Sequence, residues 1–346
     1  MSILIAIIIF SIIIIFHEFG HYTLAVRSGI RVEEFSIGLG PTIVGFTRGE
    51  TKWSIKLLPF GGACMMTGED EESEDEKAFS NKGVWARIAV VAAGPLFNFL
   101  LAFLMSLILI GCIGYDEPVI TSVSEGMPAA GAGIEAGDRI VKIGNQNIHV
   151  YREISNYLSF HPAQAGEEIT IVYERDGVRY ETSLTTVYSE ESGTYLFGFL
   201  WDGSRTRGGV LNVLFYSVYE VKYWICTTVD SLGLIFTGNV GADDVSGPVG
   251  IVSTISSTYQ ESIAVSVFAA FVNMLYIAIL LSANLGVMNL LPIPALDGGR
   301  LLFLIIEVIR GKRVDPEREG MVHLIGMACL FALMIVIMFK DIAQII

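Results

Sequence analysis

His17, Glu18 and His21 stand in the order His-Glu-Phe-Gly-His, directly after Ile3–Phe16, a run that is apolar except for Ser11. On a helix, positions i and i+4 share a face, so two imidazoles point the same way with a carboxylate beside them. A zinc hydrolase holds its metal and its general base in this way. Ionisable groups within a few turns of Ile- and Leu-rich helix are costly in hydrocarbon and mark function there. The chemistry these residues predict is hydrolysis inside a membrane.

Two imidazoles leave the metal short of a ligand. The stretch Asn289-Leu290-Leu291-Pro292-Ile293-Pro294-Ala295-Leu296-Asp297-Gly298-Gly299-Arg300 offers one. Two prolines end the preceding apolar run, so the backbone there lines a cavity or another helix. Asp297 follows, before a glycine pair that permits close approach. A single Asp at a helix end is more often a cap. Beside a two-ligand site at similar depth, Asp297 becomes the expected third ligand, and three protein ligands leave a fourth position for water. Glu18 is then the base that takes the water's proton. His149 and His161 fall in a polar stretch far along the chain. His323 opens the last apolar run and is a possible but less favoured ligand. Cys64, Cys112, Cys226 and Cys329 show no paired spacing, which predicts neither disulfides nor a thiolate site.

The elements that must carry these groups are mostly membrane-like. Hydrophobic residues make up 52% of the 346 and charged residues only 17%, and the mean hydropathy is +0.58. Soluble domains carry about 25% charge. The formal net charge of −14 excludes nucleic acid as a natural partner. Four runs reach the ~20 residues that span hydrocarbon, at about Ser2–Val26, Ile88–Tyr115, Ile263–Leu291 and Met321–Phe339. The first lacks the positive flank and cleavage site of a signal peptide and reads as a retained span. Lys and Arg concentrate between spans one and two and between spans three and four, which predicts both connections to be cytoplasmic. Both termini and the segment from Asp116 to about Ser262 would lie outside. The active site would sit in the membrane toward the cytoplasmic face.

Between the first two spans, Glu33–Met66 alternates apolar and polar residues around Arg48-Gly49-Glu50, the pattern of a β-hairpin. The acidic run Glu69–Glu76 reads as a solvated linker. Asp116–Tyr188 reads as a small α+β domain. Its strands are expected at Val119–Val123, Gly137–Ile143, Glu168–Glu174 and Val178–Thr185, with a helix at Tyr151–Phe160 and a later strand at Tyr195–Trp201. Val210–Phe236 is long and amphipathic, broken by Asp230 and Gly233, and is expected on the outer membrane surface. The predicted fold is a multi-pass α-helical membrane protein of four spans with a hairpin and an inserted α+β domain. Its parts are 1–115 and 263–346 as two halves of a core, 116–202 as the inserted domain and 203–262 as a surface segment.

His17–His21, Gly61-Gly62 before Met65-Met66, Gly94-Pro95-Leu96-Phe97-Asn98, Gly247-Pro248-Val249-Gly250-Ile251 and Asn289–Gly299 occur in one order along the chain. This ordered set resembles the site-2 protease family of intramembrane zinc metalloproteases. It is most similar to the bacterial branch that cleaves anti-sigma factors, in its form with a single PDZ domain. The resemblance implies one zinc ion on His17, His21 and Asp297, with Glu18 as base. It implies that the 33–66 hairpin pairs with an unwound substrate, with Gly61 and Gly62 close to it, and that Asn98 and Asn289 support the active site. Asn98 as a plain interhelical hydrogen bond remains open. Residues 116–202 resemble a circularly permuted PDZ domain whose carboxylate-binding loop would hold Phe197 and Gly198. Ala63 and Cys64 depart from the larger residues that relatives often carry.

The expected substrate is a single-span membrane protein, such as an anti-sigma factor or a remnant signal peptide, first cut outside by a site-1-type protease. The expected location is a bacterial plasma membrane, in contact with lipid. Three other readings stand beside it: a membrane-anchored PDZ scaffold with a non-catalytic metal site, a zinc transporter, and a membrane protease that cuts outside the bilayer.

Overall fold

A run of Ile, Leu, Phe and Ala without proline forms one helix, α1 (Ser2–Arg27), in the computed structural model. The structure describes residues 2–69, 71, 73–161, 167–190, 194–238 and 246–345. Gly29, at φ 69°, turns the chain just past the helix end. β1 (Val32–Arg48) and β2 (Thr51–Met66) follow, in the stretch where alternation predicts a hairpin. Val44–Arg48 pair with Thr51–Ile55 beside the turn. Glu34–Ile37 pair twice, with Gly62–Met65 along one side and Lys52–Ile55 along the other. The hairpin is thus folded back on itself and Gly62–Met66 forms an outer edge. Among the described residues no further strand pairs with that edge.

α2 (Val84–Ile113) carries Pro95 inside it. The chain divides into two compact units, one of Met1–Met105 with Gly241–Ile346 and one of Ser106–Val240. In the second unit come β3 (Ser122–Val123), α3 (Pro128–Gly131), β4 (Arg139–Ile143), β5 (Gln146–Asn147), α4 (Arg152–Phe160), β6 (Glu168–Arg175), β7 (Val178–Thr185), β8 (Val187–Ser189), β9 (Thr194–Leu196) and β10 (Phe199–Leu200). The main sheet has the order β5-β4-β6-β7, and Ile140, Ile143, Ile171, Ile120 and Phe197 fill its core. The strand expected at Val119–Val123 is only Ser122–Val123, with an isolated bridge from Val119 to Arg139. The strand expected at Tyr195–Trp201 is split in two, because Gly198 takes φ 90°, outside the strand region.

α5 (Val210–Phe236) ends this unit. The break expected at Asp230 and Gly233 is absent: the helix runs through both. A glycine inside a helix costs only ~1 kcal/mol, too little to interrupt a helix of this length. Its burial is inverted. Ser217, Glu220 and Tyr223 face inward, while Leu211, Phe215 and Val218 are exposed.

In the first unit, α6 (Pro248–Val265) and α7 (Val267–Leu290) are separate helices. The Ser266 side chain accepts from Ala269 N–H and starts the second one, so the span read from Ile263 begins at Val267 instead. α8 (Asp297–Arg310) and α9 (Pro316–Ile345) complete the chain. Among the described residues four helices are long and apolar enough to cross a membrane: Ile3–Arg27, Val84–Ile113, Val267–Leu290 and Arg318–Ala343.

Candidate active site

Two elements far apart in sequence converge on one point. α1 brings His17 and His21, one turn apart and both buried. The first residue of α8 brings Asp297. His17 Nε2 and His21 Nε2 lie 3.2 Å apart, and Asp297 Oδ2 lies 3.2 Å and 3.4 Å from them. Oδ2 is buried and has no well-aligned hydrogen-bond donor, although two ring nitrogens lie so near. The triangle is the right size for a metal. Bonds of about 2.0–2.1 Å at the tetrahedral angle place donor atoms about 3.3 Å apart.

Each donor is held from behind. His21 Nδ1 donates to the Val90 carbonyl at 2.9 Å, which in the neutral ring turns the Nε2 lone pair toward the triangle. His17 Nδ1 lies 3.2 Å from the side-chain amide of Asn98, which is fully buried. A ring with Nε2 free for the triangle carries its proton on Nδ1. A half-turn of the amide brings Oδ1, a buried acceptor with no other hydrogen-bond partner, to that proton. Ser282 fixes this part of α2 by donating from Oγ to the Asn98 carbonyl at 2.8 Å. The Asn289 amide lies 3.4 Å from His17 Nε2.

Glycines let these parts meet. A Cβ on Gly94 would lie 2.3 Å from His21 Nε2 and 2.7 Å from His17 Cε1. One on Gly20 would lie 2.4 Å from the Ala93 carbonyl oxygen. α1 and α2 therefore touch backbone to backbone at the site, the small-residue contact of membrane helices. Gly298 and Gly299 do the same for the turn before α8, where a Cβ would meet the Leu291 and Ile293 carbonyl oxygens at 2.1 Å and 2.5 Å.

Glu18 is half-buried and lines one cavity of about 590 Å³ with His17, His21, Asp297 and the hairpin edge Gly62–Met66. A Cβ on Gly62 would lie 3.2 Å from Glu18 Cγ, so the edge strand passes directly beside the carboxylate. Gly61 takes φ 90° and packs on Leu39. Cys64 is buried at the same edge. Burial, with the Glu18 charge adding to it, pushes its thiol pKa up and keeps it protonated. Phe197 and Gly198 belong to the α+β unit: the Phe197 ring is core, and Gly198 packs tightly on Met127. His323 does not enter the triangle; its Nδ1 accepts from the Ala295 N–H at 3.0 Å. Sequence reasoning misses Val90, Ser282 and the role of Gly94. A carbonyl has no residue signature, and Gly94 stood only within a quoted motif.

A family model described as peptidase family M50 matches residues 5–333. The chain belongs to peptidase family M50. This is the site-2 protease family, and the chain is a zinc metalloprotease of it, of the kind that carries out regulated intramembrane proteolysis. A Clostridium acetobutylicum relative is 37% identical over 341 residues, which cover 99% of this chain and 97% of the relative. The zinc metalloprotease RasP of Bacillus licheniformis is 33% identical and covers 98% of each chain. The regulator of sigma-W protease RasP of Bacillus subtilis is 31% identical, over 98% of this chain and 97% of its own. A solved PDZ domain of an SdrC-like protein from Listeria innocua is 28% identical over 27% of this chain and all of its own, with a TM-score of 0.23. Zinc fits the donor set of this M50 chain, two imidazoles and one carboxylate with no thiolate.

Proposed function

We propose that this M50 protease hydrolyses peptide bonds in or near the transmembrane segment of single-span membrane proteins, with His17, His21 and Asp297 as zinc ligands. The observation that carries the proposal is the triangle of donor atoms with edges of 3.2, 3.2 and 3.4 Å, two of its three donors on a helix of membrane-spanning composition. Bound zinc supplies a Lewis acid that polarises the scissile carbonyl and acidifies water. Glu18 takes the proton of the attacking water and delivers it to the leaving amine. Val90 and Asn98 hold the two imidazoles in the tautomer that offers Nε2. The edge Gly62–Met66 receives an unwound substrate strand, whose freed backbone groups it satisfies. Because that edge and Glu18 line one cavity, pairing brings substrate carbonyls to the site.

The sigma-regulating name of the Bacillus subtilis relative favours anti-sigma factors as substrates, and remnant signal peptides share their single apolar span. A first cut outside the membrane would shorten the substrate enough to enter. Residues 116–202 would act as a PDZ domain in that step, with the Phe197–Gly198 loop receiving a new C-terminus or limiting substrate size. The exposed apolar face of α5 supports a place on the membrane surface. Both termini and the α+β unit are placed outside the cell and the active site toward the cytoplasmic face, on the distribution of Lys and Arg.

The test uses purified protein in detergent with a tagged single-span substrate, with and without a zinc chelator, and with Glu18→Gln. Loss of cleavage in both arms supports the proposal. Cleavage that survives both overturns it.

A further inference from the structure

Asp297 reaches the triangle from the end of an unusual turn. Among the described residues only Ala295 and Asp176 are non-glycine residues at positive φ, and Ala295 stands two residues before Asp297 at φ 80°. A side chain resists that conformation, which persists only where surrounding contacts impose it. The glycine pair of α8 supports the turn from inside, with Gly299 against the Ile293 carbonyl and Pro294. The other side is held by α9. His323 Nδ1 accepts the Ala295 N–H at 3.0 Å, so the neutral ring carries its proton on Nε2. One turn on, Gly326 lets α9 close on Pro294, where a Cβ would lie 2.4 Å from the proline Cβ. The most apolar stretch of this span has no buried residue. α9 has a second anchor at its far end, where Asp341 accepts from the Gly247 and Gly250 N–H groups at 3.1 Å and 2.7 Å.

We infer that His323 is a positioning residue: through the Ala295 N–H it holds the left-handed turn that presents Asp297 to the metal. The fourth span thereby acts as a strut for the metal site, with no ligand of its own. The Ala295 N–H is one of the donors freed where the prolines end α7, and a half-buried donor left unmade is costly. Without His323 the turn relaxes toward ordinary φ and Asp297 moves with it. The inference rests on Asp297 being a zinc ligand.

The experiment measures zinc release from the full chain in detergent to a coloured chelator, for wild type, His323→Ala, His323→Asn and Asp297→Ala. Asn places its Oδ1 close to where histidine places Nδ1, and so keeps the acceptor. His323→Ala is expected to release zinc on the order of tenfold faster, the lower end of the loss typical when a supporting partner of a ligand is removed. It is also expected to lower kcat with KM unchanged. His323→Asn is expected to stay within about twofold of wild type, as befits a retained acceptor. Wild-type zinc retention in His323→Ala overturns the inference. So does equal loss in His323→Ala and His323→Asn, which would make the ring's packing the cause. If Asp297→Ala itself retains zinc, the ligand reading fails, and that outcome is distinct from both.

Discussion

Gly94→Ala adds one methyl group where α2 comes against the His17–His21–Asp297 triangle. Its Cβ would lie 2.3 Å from His21 Nε2, against the 3.4 Å at which ordinary contact begins, a shortfall of about 1.1 Å. The imidazoles cannot simply swing away. His21 is tied to the Val90 carbonyl and His17 is packed on Asn98. The helices cannot easily part either, because Gly20 packs on the Ala93 backbone. Metal sites tolerate about ±0.2 Å in ligand distance, so a shift several times larger removes the metal or distorts its coordination. A misplacement of about 1 Å at a reacting centre costs about 100-fold in rate. Overpacking itself costs about 1–3 kcal/mol, which the fold can survive. Gly111→Ala on the same helix is the control: its Cβ would meet nothing within 4 Å. The assay is the zinc-to-protein ratio of the folded, detergent-purified variant, followed by cleavage of a tagged single-span substrate. Gly94→Ala is expected to lose bound zinc and at least about 100-fold in kcat/KM, with Gly111→Ala near wild type. Wild-type zinc content and rate in Gly94→Ala would refute the packing argument.

Glu18→Gln is expected to keep its zinc and lower kcat by about 10²- to 10⁴-fold, the range for loss of a general base, measured by metal analysis and single-turnover cleavage. Asp138→Asn is expected to destabilise the α+β unit by about 2 kcal/mol, because hydrogen bonds to charge contribute about that much and a buried acceptor is lost. Asp138 accepts from Arg175 Nε at 2.6 Å, Arg175 Nη2 at 2.7 Å and Glu135 N–H at 2.8 Å, and thermal unfolding of the full chain reads the change. Glu34 is held below the usual carboxylate range, chiefly by the Ser54 hydroxyl, with Lys52 and Lys56 adding to it. A lowered folded pKa means that its contribution is present above the unfolded value and is lost as the acid side is entered. Thermal stability should therefore fall as the pH goes from about 6 towards 4, and Glu34→Gln should flatten that fall.

That His17, Glu18 and His21 meet on one helix is legible because the pattern is local. His17, Glu18 and His21 are neighbours on one helix, and their spacing alone places them on one face. That Asp297 comes beside the two imidazoles is legible by a weaker route, from prolines that end a helix and glycines that allow close approach. The hairpin was visible from its alternation, but its second pairing was not. That Glu34–Ile37 serve two partners follows from how β2 folds back, which no local pattern encodes. Asp230 and Gly233 are helix-breaking residue types, yet α5 runs through both. Length and the contacts of its inward polar face outweigh them. From sequence, His323 offers itself only as a ligand. Its contact with the Ala295 backbone joins residues 28 positions apart through an N–H that every residue but proline possesses. The supporting contacts of this site run mostly to backbone groups, and sequence shows no trace of those.

The proposed activity is the cutting of a peptide bond within a membrane span by Glu18 and the His17–His21–Asp297 site. The direct measurement is mass-spectrometric mapping of the products that wild type makes from a single-span substrate and Glu18→Gln does not. One zinc-dependent cut inside the substrate's apolar segment or at its edge is expected. A Glu18-dependent cut confined to the soluble flanks, or the same cut made by Glu18→Gln, would contradict it.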